Sequence, residues 1–267
     1  MWSFFIKTHQ KIDTVAYKHL SELLYPQPHL ILSDILHFEG NNGPDATRLK
    51  KGASEPPWHF YNPSGNNKEF LDTLRHHYQG LVRELKAGDP TRSAFEASWL
   101  AHALVDGLTP AHHFPYESEL RTLYRQEKSD RETVGSHFLV KGDNATDTVR
   151  RSFRLIGPKG LLTTHTSFEA GAGMVILPLA LATARPTAAD LQQLAENSSV
   201  EIFRHYVHDI EQLKMYERFY KKGWTPFLAR DVRLKLAPRM VRIVTLSWYA
   251  AFVEAGLLTV PPVADKS

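Results

Sequence analysis

Residues 91–112 are TRSAFEASWLAHALVDGLTPAH, and the fold prediction starts from them. Their apolar side chains recur every three or four positions, which predicts a helix over Thr91–Val105 with one buried stripe. The stripe consists of Phe95, Trp99, Leu100 and Leu104. His102 and Asp106 are four residues apart, so on a helix they share a face and can close on one cation. Glycine and proline then interrupt the helix before His112. The segment therefore predicts a helix with a metal site at its end.

The same helical spacing recurs along most of the chain, whereas alternating β-branched runs are almost missing. Further helices are predicted from about Ile12 to Leu24, Leu30 to Phe38, Phe70 to Leu85, Pro110 to Arg125, Gly160 to Thr183, Pro186 to Met215 and Ala237 to Leu258. Glycines and prolines make residues 39–68 a long loop, and such loops are usually functional. Residues 126–157 are polar and predict a loop with one short helix. No repeat or linker divides residues 1–267, so we predict a single all-α domain.

The composition restricts the chemistry that is open to this chain. Apolar residues make up 42% and charged residues 23%, as expected of a globular protein, and cysteine is absent. Disulfides, thiolate zinc sites and cysteine nucleophiles are therefore excluded. Any metal must use imidazole and carboxylate ligands, which suit zinc, manganese or iron. The net charge of +3 is too small to indicate nucleic acid by itself.

Neither a targeting segment nor a membrane span is predicted. The N-terminus has a short apolar run but no basic leader and no small-residue cleavage site. The longest apolar stretch, roughly residues 170–184, is shorter than the ~20 residues that cross a bilayer. The sequence therefore predicts a soluble, cytoplasmic protein.

Eight potential metal ligands follow one another along the chain: His9, Asp45, His59, His102, Asp106, His112, His165 and Glu169. They include a second His-x-x-x-carboxylate pair, His165/Glu169, and two residues in the predicted long loop, Asp45 and His59. A carboxylate in such a cluster can bridge two metals, which is the chemistry of phosphoester cleavage. Among fourteen histidines some spacings arise by chance, and the alternative for His102 is a core histidine hydrogen-bonded to Asp106.

The segment from His102 to His112 resembles the central motif of the zinc-dependent phospholipases C and the related fungal single-strand nucleases. That motif has the form His-x-x-x-Asp-x-x-x-Pro-x-His. The run Trp58-His59-Phe60-Tyr61-Asn62-Pro63 is similar to the family's His-Phe-Tyr-Asp-Pro element. Asp45 precedes His59 by fourteen residues, a gap similar to the family's.

Two further features extend the resemblance over residues 2 to about 170. His165-Thr-Ser-Phe-Glu169 resembles the family's His-x-x-x-Glu pair, and His9 is similar in position to its N-terminal histidine ligand. His113 could compete with its neighbour His112 as a ligand, but the spacing from Asp106 favours His112. The last hundred residues carry no motif, and residues 171–267 are expected to supply the helices that close the bundle.

The resemblance implies a helical bundle with two or three zinc ions, although other divalent metals are possible. The implied metal positions are held by Asp45, His59, His102 and Asp106; by Asp106 and His9; and by His112, His165 and Glu169. Asp45 would also act as the general base for a metal-bound water that attacks the phosphodiester. One departure concerns the family's N-terminal tryptophan, whose amino group and carbonyl ligate one zinc. Here Trp2 follows Met1, so either the Met1 amine substitutes or that metal position is weak or empty.

Three hypotheses for function follow. The first is a phospholipase C-like phosphodiesterase that acts on a phospholipid or similar phosphodiester. The second is a single-strand nuclease of the same fold, for which nucleic acid is the substrate, and the third is a non-catalytic metal-binding helical protein. Residues 221–242 carry seven Lys/Arg against one acid. They predict either a peripheral membrane contact or an ordinary solvated face of the closing helices.

Overall fold

The all-α prediction is confirmed. The computed structural model describes residues 2–24, 30–40, 42–48, 60–63, 65–124 and 140–258, and none of these residues forms a strand. Its α-helices are α1 Trp2–Leu23, α2 Leu32–Glu39, α3 Pro44–Arg48, α4 Lys68–Ala87, α5 Pro90–Leu108, α6 Tyr116–Tyr124, α7 Ala145–Ile156, α8 Leu161–Ile176, α9 Ala188–Glu196, α10 Ser199–Gln212, α11 Met215–Lys222, α12 Pro226–Asp231 and α13 Ala237–Glu254. Short 3₁₀ turns cover Pro110–His113 and Ala182–Ala184, and a π-helical turn covers Val232–Leu236.

Helix α5 lies at the centre of the core, where it contacts α1, α2, α4, α10 and α13. Most of its length is buried, including Ala97, Ala101 and Leu104. Helix α13 packs across α1, α4 and α5, and its fully buried Trp248 donates an indole hydrogen bond to the carbonyl of Ala97 at 3.0 Å. The predicted ligands His102 and Asp106 thus lie on a buried helix at the centre of the core.

The bounds of α5 have local causes. Asp89 caps its first turn by accepting a hydrogen bond from the Arg92 amide, and Pro90 occupies the first helical position, where its missing N–H costs nothing. The preceding helix α4 ends at Gly88, which adopts a left-handed conformation with φ of 70°. At the other end, α5 stops at Thr109 because Pro110 follows.

The prediction of one amphipathic helix over residues 186–215 is wrong. The structure has two helices there, α9 and α10, separated at Asn197 and Ser198. Ser198 accepts a hydrogen bond from the Glu201 amide while the Glu201 carboxylate accepts one from the Ser198 amide, which forms a capping box. This reciprocal cap starts a new helix even though the apolar periodicity continues through it.

Other boundaries also differ from the predictions. Helix α1 begins at Trp2, ten residues earlier than expected, and α8 ends at Ile176 instead of continuing to about residue 183. The predicted helix from Pro110 is divided into the 3₁₀ turn and α6. The predicted long loop contains the short helix α3, which carries Asp45.

Parts of both predicted loops, residues 49–59 and 125–139, lie outside the described residues. Within the described part of the chain, no helix combines the length and the apolar character that a bilayer crossing requires.

Candidate metal centre

Four predicted ligands meet at the end of α5 in a group that we call the Asp106 cluster: His9, Asp45, His102 and Asp106. Asp106 Oδ1 lies 3.5 Å from His9 Nε2, and Asp106 Oδ2 lies 3.3 Å from His102 Nε2. Asp45 Oδ1 lies 3.8 Å from the same His102 nitrogen. All four residues are buried. Helices α1, α3 and α5 thus bring together side chains from three separate parts of the sequence.

The imidazoles of His9 and His102 are stacked and share one orientation. Their centroids are 4.1 Å apart and their planes differ by 11°. The Nε2 edge of each ring is turned toward Asp106, and the Nδ1 edge of each ring is turned toward Glu39. The Nε2 atoms of two parallel rings therefore face the carboxylate of Asp106.

Glu39 is a site residue that the sequence analysis missed. It is the last residue of α2, it is fully buried, and its Oε1 accepts a hydrogen bond from His102 Nδ1 at 2.8 Å. The same oxygen lies 3.8 Å from His9 Nδ1. A carboxylate behind a histidine fixes its tautomer and leaves Nε2 available for a metal. Nothing in the sequence around Glu39 distinguishes it from an ordinary acid at the end of a helix.

Asp13 adds another buried acid behind the two rings. It lies one turn after His9 on α1 and is 1% exposed. Burial, together with the neighbouring carboxylate of Glu39, raises the pKa of Asp13 well above its ordinary value. The His9-x-x-x-Asp13 spacing is the same as that of His102/Asp106 and His165/Glu169, so the sequence contains a signal for this residue.

The electrostatics of the Asp106 cluster favour a positive charge. Burial alone lowers the pKa of His102, but the carboxylates of Glu39, Asp106 and Asp45 outweigh it and hold that pKa well above its ordinary value. The cluster therefore attracts either a proton or another cation to His102.

The other three predicted ligands form a second group, the Glu169 cluster: His112, His165 and Glu169. Glu169 Oε1 lies 2.7 Å from His112 Nε2 and 3.3 Å from His165 Nε2. The two imidazoles are stacked, with centroids 5.0 Å apart. Burial raises the pKa of Glu169, but His165 and His112 more than offset it, so the pKa is well below its ordinary value. The i,i+4 pair on α8 thus meets a histidine from the 3₁₀ turn, which is the grouping that the resemblance implies.

His112 connects the two clusters. Its Nδ1 lies 3.7 Å from Asp106 Oδ2, while its Nε2 contacts Glu169. The carbonyl of His112 accepts a hydrogen bond from the Tyr61 amide at 3.2 Å, and the Phe60 ring lies 5.5 Å from the His112 ring. Phe60 and Tyr61, which belong to the predicted Trp58–Pro63 motif, therefore contact His112.

The neighbouring His113 has a different environment. Its Nε2 donates to the carbonyl of Gly107 at 2.8 Å, and burial lowers its pKa to about 4. This is the environment of a neutral core histidine, and the preference for His112 over His113 agrees with it.

Seven of the eight predicted ligands thus lie in two connected clusters, and the eighth, His59, lies outside the described residues together with Trp58. Met1, the predicted substitute for an N-terminal ligand, also lies outside them.

The donor atoms fit divalent cations. One nitrogen or oxygen from each of His112, His165 and Glu169 lies within 4.8 Å of the others, and the same holds for His9, Glu39 and His102. Glu39, however, contacts the Nδ1 atoms of His9 and His102. The better set of metal-binding atoms is therefore the two Nε2 atoms together with the carboxylates of Asp106 and Asp45. Imidazole nitrogens combined with carboxylates and no thiolates suit zinc or manganese. Several carboxylates buried together are also costly unless a positive charge offsets them.

Comparisons with known proteins supply no relative: no protein-family model, curated protein or solved structure matches this chain.

Proposed function

We propose that this protein is a metal-dependent phosphodiesterase of the phospholipase C type. The observation that carries the proposal is the position of Asp106. Its two oxygens are divided among three imidazoles, with Oδ1 toward His9 and Oδ2 toward His102 and His112. A carboxylate that faces several nitrogen atoms in this way would suit two adjacent cations, an arrangement that many phosphoester-cleaving enzymes use.

The remaining residues divide the work around Asp106. His9, His102 and Asp45 would hold cations with it, and His112, His165 and Glu169 would hold another. When bound, divalent cations supply Lewis-acid polarisation of a phosphoryl oxygen and lower the pKa of water. Asp45, whose Oδ1 lies 3.8 Å from His102 Nε2, would accept the proton of the attacking water. No protein nucleophile takes part.

Apolar side chains beside the Glu169 cluster support a lipid as the substrate. Phe60, Phe114, Leu161 and Leu162 pack against a small buried group of apolar residues next to α7 and α8. The Phe60 ring is 6.1 Å from the His165 ring and 5.5 Å from the His112 ring. A substrate whose apolar part lies next to its phosphate would gain binding free energy from contact with these side chains.

The test compares Asp106→Asn with Asp209→Asn, a matched change at an exposed acid that pairs with Arg239. Metal content is measured by plasma emission, and turnover is measured with bis-p-nitrophenyl phosphate. We expect Asp106→Asn to lose both bound metal and turnover, while the control keeps both. Full activity in Asp106→Asn would refute the bridging role. If the native chain binds metal but shows no turnover with any added divalent cation, the result would instead support a non-catalytic metal-binding protein.

The substrate is tested separately. Release of phosphocholine from phosphatidylcholine vesicles is compared with cleavage of single-stranded DNA at equal enzyme concentration. The proposal expects headgroup release to dominate. Dominant DNA cleavage would make the chain a nuclease that uses the same residues.

A further inference from the structure

Helix α7 carries an apolar stripe on its outer face. Val149, Phe153 and Ile156 are spaced four and three residues apart, so they lie on one side of the helix. Their exposed fractions are 69%, 64% and 48%. The opposite side is buried through Leu155 and Arg151. The outward face of the helix is therefore apolar, whereas the inward face carries Leu155 together with the buried ion pair of Asp147 and Arg151.

Basic side chains border the outer stripe. Arg150, Arg154 and Lys159 are exposed on α7 or directly after it. Among residues 140–160 of the described chain, the acids are Asp143, which precedes the helix, and Asp147, which lies on the buried face and accepts hydrogen bonds from Arg150 and Arg151. Arg150 is neutralised by its contact with Asp147, and Lys159 lies over the Tyr220 ring at 5.5 Å. The outer surface at the end of α7 is therefore positive, through Arg154 and Lys159, as well as apolar.

The stripe lies close to the candidate metal centre. Helix α7 packs against α8, which carries His165 and Glu169. Leu155 belongs to the apolar group on which Phe60 packs, and Phe60 faces His165. Helix α7 thus lies between the outer stripe and the helix that carries the Glu169 cluster.

We propose that α7 is an interfacial helix that lies in the surface of an anionic bilayer, with Val149, Phe153 and Ile156 inserted among the lipids. The choice of a lipid surface rests in part on the proposed function. It rests independently on charge, because a positive border complements anionic headgroups. Size also argues against a protein partner. The three side chains offer on the order of 300 Å² of apolar surface, whereas each side of a stable protein interface contributes about 800 Å², roughly 450 Å² of it apolar.

The basic region at residues 221–242 is a weaker candidate for the same role. Four of its seven cations contact acidic side chains: Lys221 with Glu217, Lys235 with Asp231, Arg239 with Asp209 and Arg242 with Asp190. Much of its positive charge is therefore neutralised locally. Its exposed Phe227, 72% accessible, nevertheless provides a matched control for the stripe on α7.

The experiment measures co-sedimentation of the full chain with vesicles of phosphatidylcholine alone and of equimolar phosphatidylcholine and phosphatidylserine. The variants are Val149→Ser/Phe153→Ser, Arg154→Glu and the control Phe227→Ser. We expect the native chain to prefer the anionic vesicles and the double variant to bind them roughly tenfold or more weakly, since each buried apolar side chain contributes strongly to insertion. Arg154→Glu should reduce binding to the anionic vesicles, and Phe227→Ser should leave it unchanged.

Several results would overturn the proposal: no binding by the native chain, equal binding to neutral vesicles, or loss of binding in Phe227→Ser but not in the double variant. A native dimer by light scattering that Val149→Ser/Phe153→Ser converts to monomer would overturn it too, because a second copy would then cover the stripe. Turnover of bis-p-nitrophenyl phosphate separates the two proposals. Vesicle binding without turnover contradicts only the proposed phosphodiesterase function, and turnover without vesicle binding contradicts only the proposed membrane contact of α7.

Discussion

Replacing Glu39 with Gln tests whether the carboxylate behind the two stacked imidazoles matters for metal binding. The change keeps the shape of the side chain but removes its charge. Glu39 is fully buried, and its Oε1 lies 2.8 Å from His102 Nδ1 and 3.8 Å from His9 Nδ1, so two of the proposed nitrogen ligands lose a negative neighbour. Loss of such an outer partner typically weakens metal binding about tenfold to hundredfold, or roughly 1.4 to 2.7 kcal/mol. A charged hydrogen bond is worth about 1.5–3 kcal/mol, which is a consistent range.

The assay is competition for zinc between the protein and a chromophoric chelator, together with the thermal midpoint with and without zinc. The fold contains a matched control, because Glu96 is also buried and its Oε2 accepts a hydrogen bond from His77 Nδ1 at 2.7 Å. Glu96→Gln should destabilise the metal-free protein but leave zinc affinity unchanged. Unchanged zinc affinity in Glu39→Gln, or an equal loss in both variants, would refute the reasoning.

Three further predictions concern pH, packing and capping. Because the pKa of His102 is raised in the folded state, protonation of His102 stabilises the metal-free protein fully below about pH 6.5, the ordinary value of that pKa. The thermal midpoint should therefore fall as the pH rises above about 6.5, and His102→Gln should flatten this slope. Gly107→Ala places a methyl group 2.5 Å from the Phe70 ring and 2.6 Å from the Phe203 ring, so urea titration should show a loss of about 1–3 kcal/mol. Ser198→Ala removes the cap of α10, and the same titration should show a loss of about 1 kcal/mol; no change would mean that the cap is dispensable.

The helices of this protein were predictable because their apolar faces repeat at a helical period. The breaks between helices were less predictable, since a break is set by local hydrogen bonds that do not interrupt the period. At Ser198 the serine followed three residues later by Glu201 was a visible signal, but the continuing apolar spacing hid it. At the start of α1 no glycine or proline marks the boundary, so the apolar spacing predicts the helix only from its first clear stripe, near Ile12.

The site divides in the same way. His102/Asp106 and His165/Glu169 are contacts within one helix, so four-residue spacing was enough to find them. Glu39 reaches His102 across 63 residues of sequence, and only tertiary packing of α2 against α5 creates that contact. Asp13 had the right spacing from His9, but its carboxylate lies near Glu39, a residue that the pattern did not contain.

The packing of α1 against α13 has a consequence for biosynthesis. Helix α1 buries its apolar side, including Ile12 and Ala16, against α13, which leaves the ribosome much later. A nascent chain that ends before residue 237 therefore presents this side of α1 without its partner, and such surfaces attract chaperones or aggregate. The stacked imidazoles of His9 and His102 depend on the position of α1, so metal loading is expected to follow the synthesis of α13.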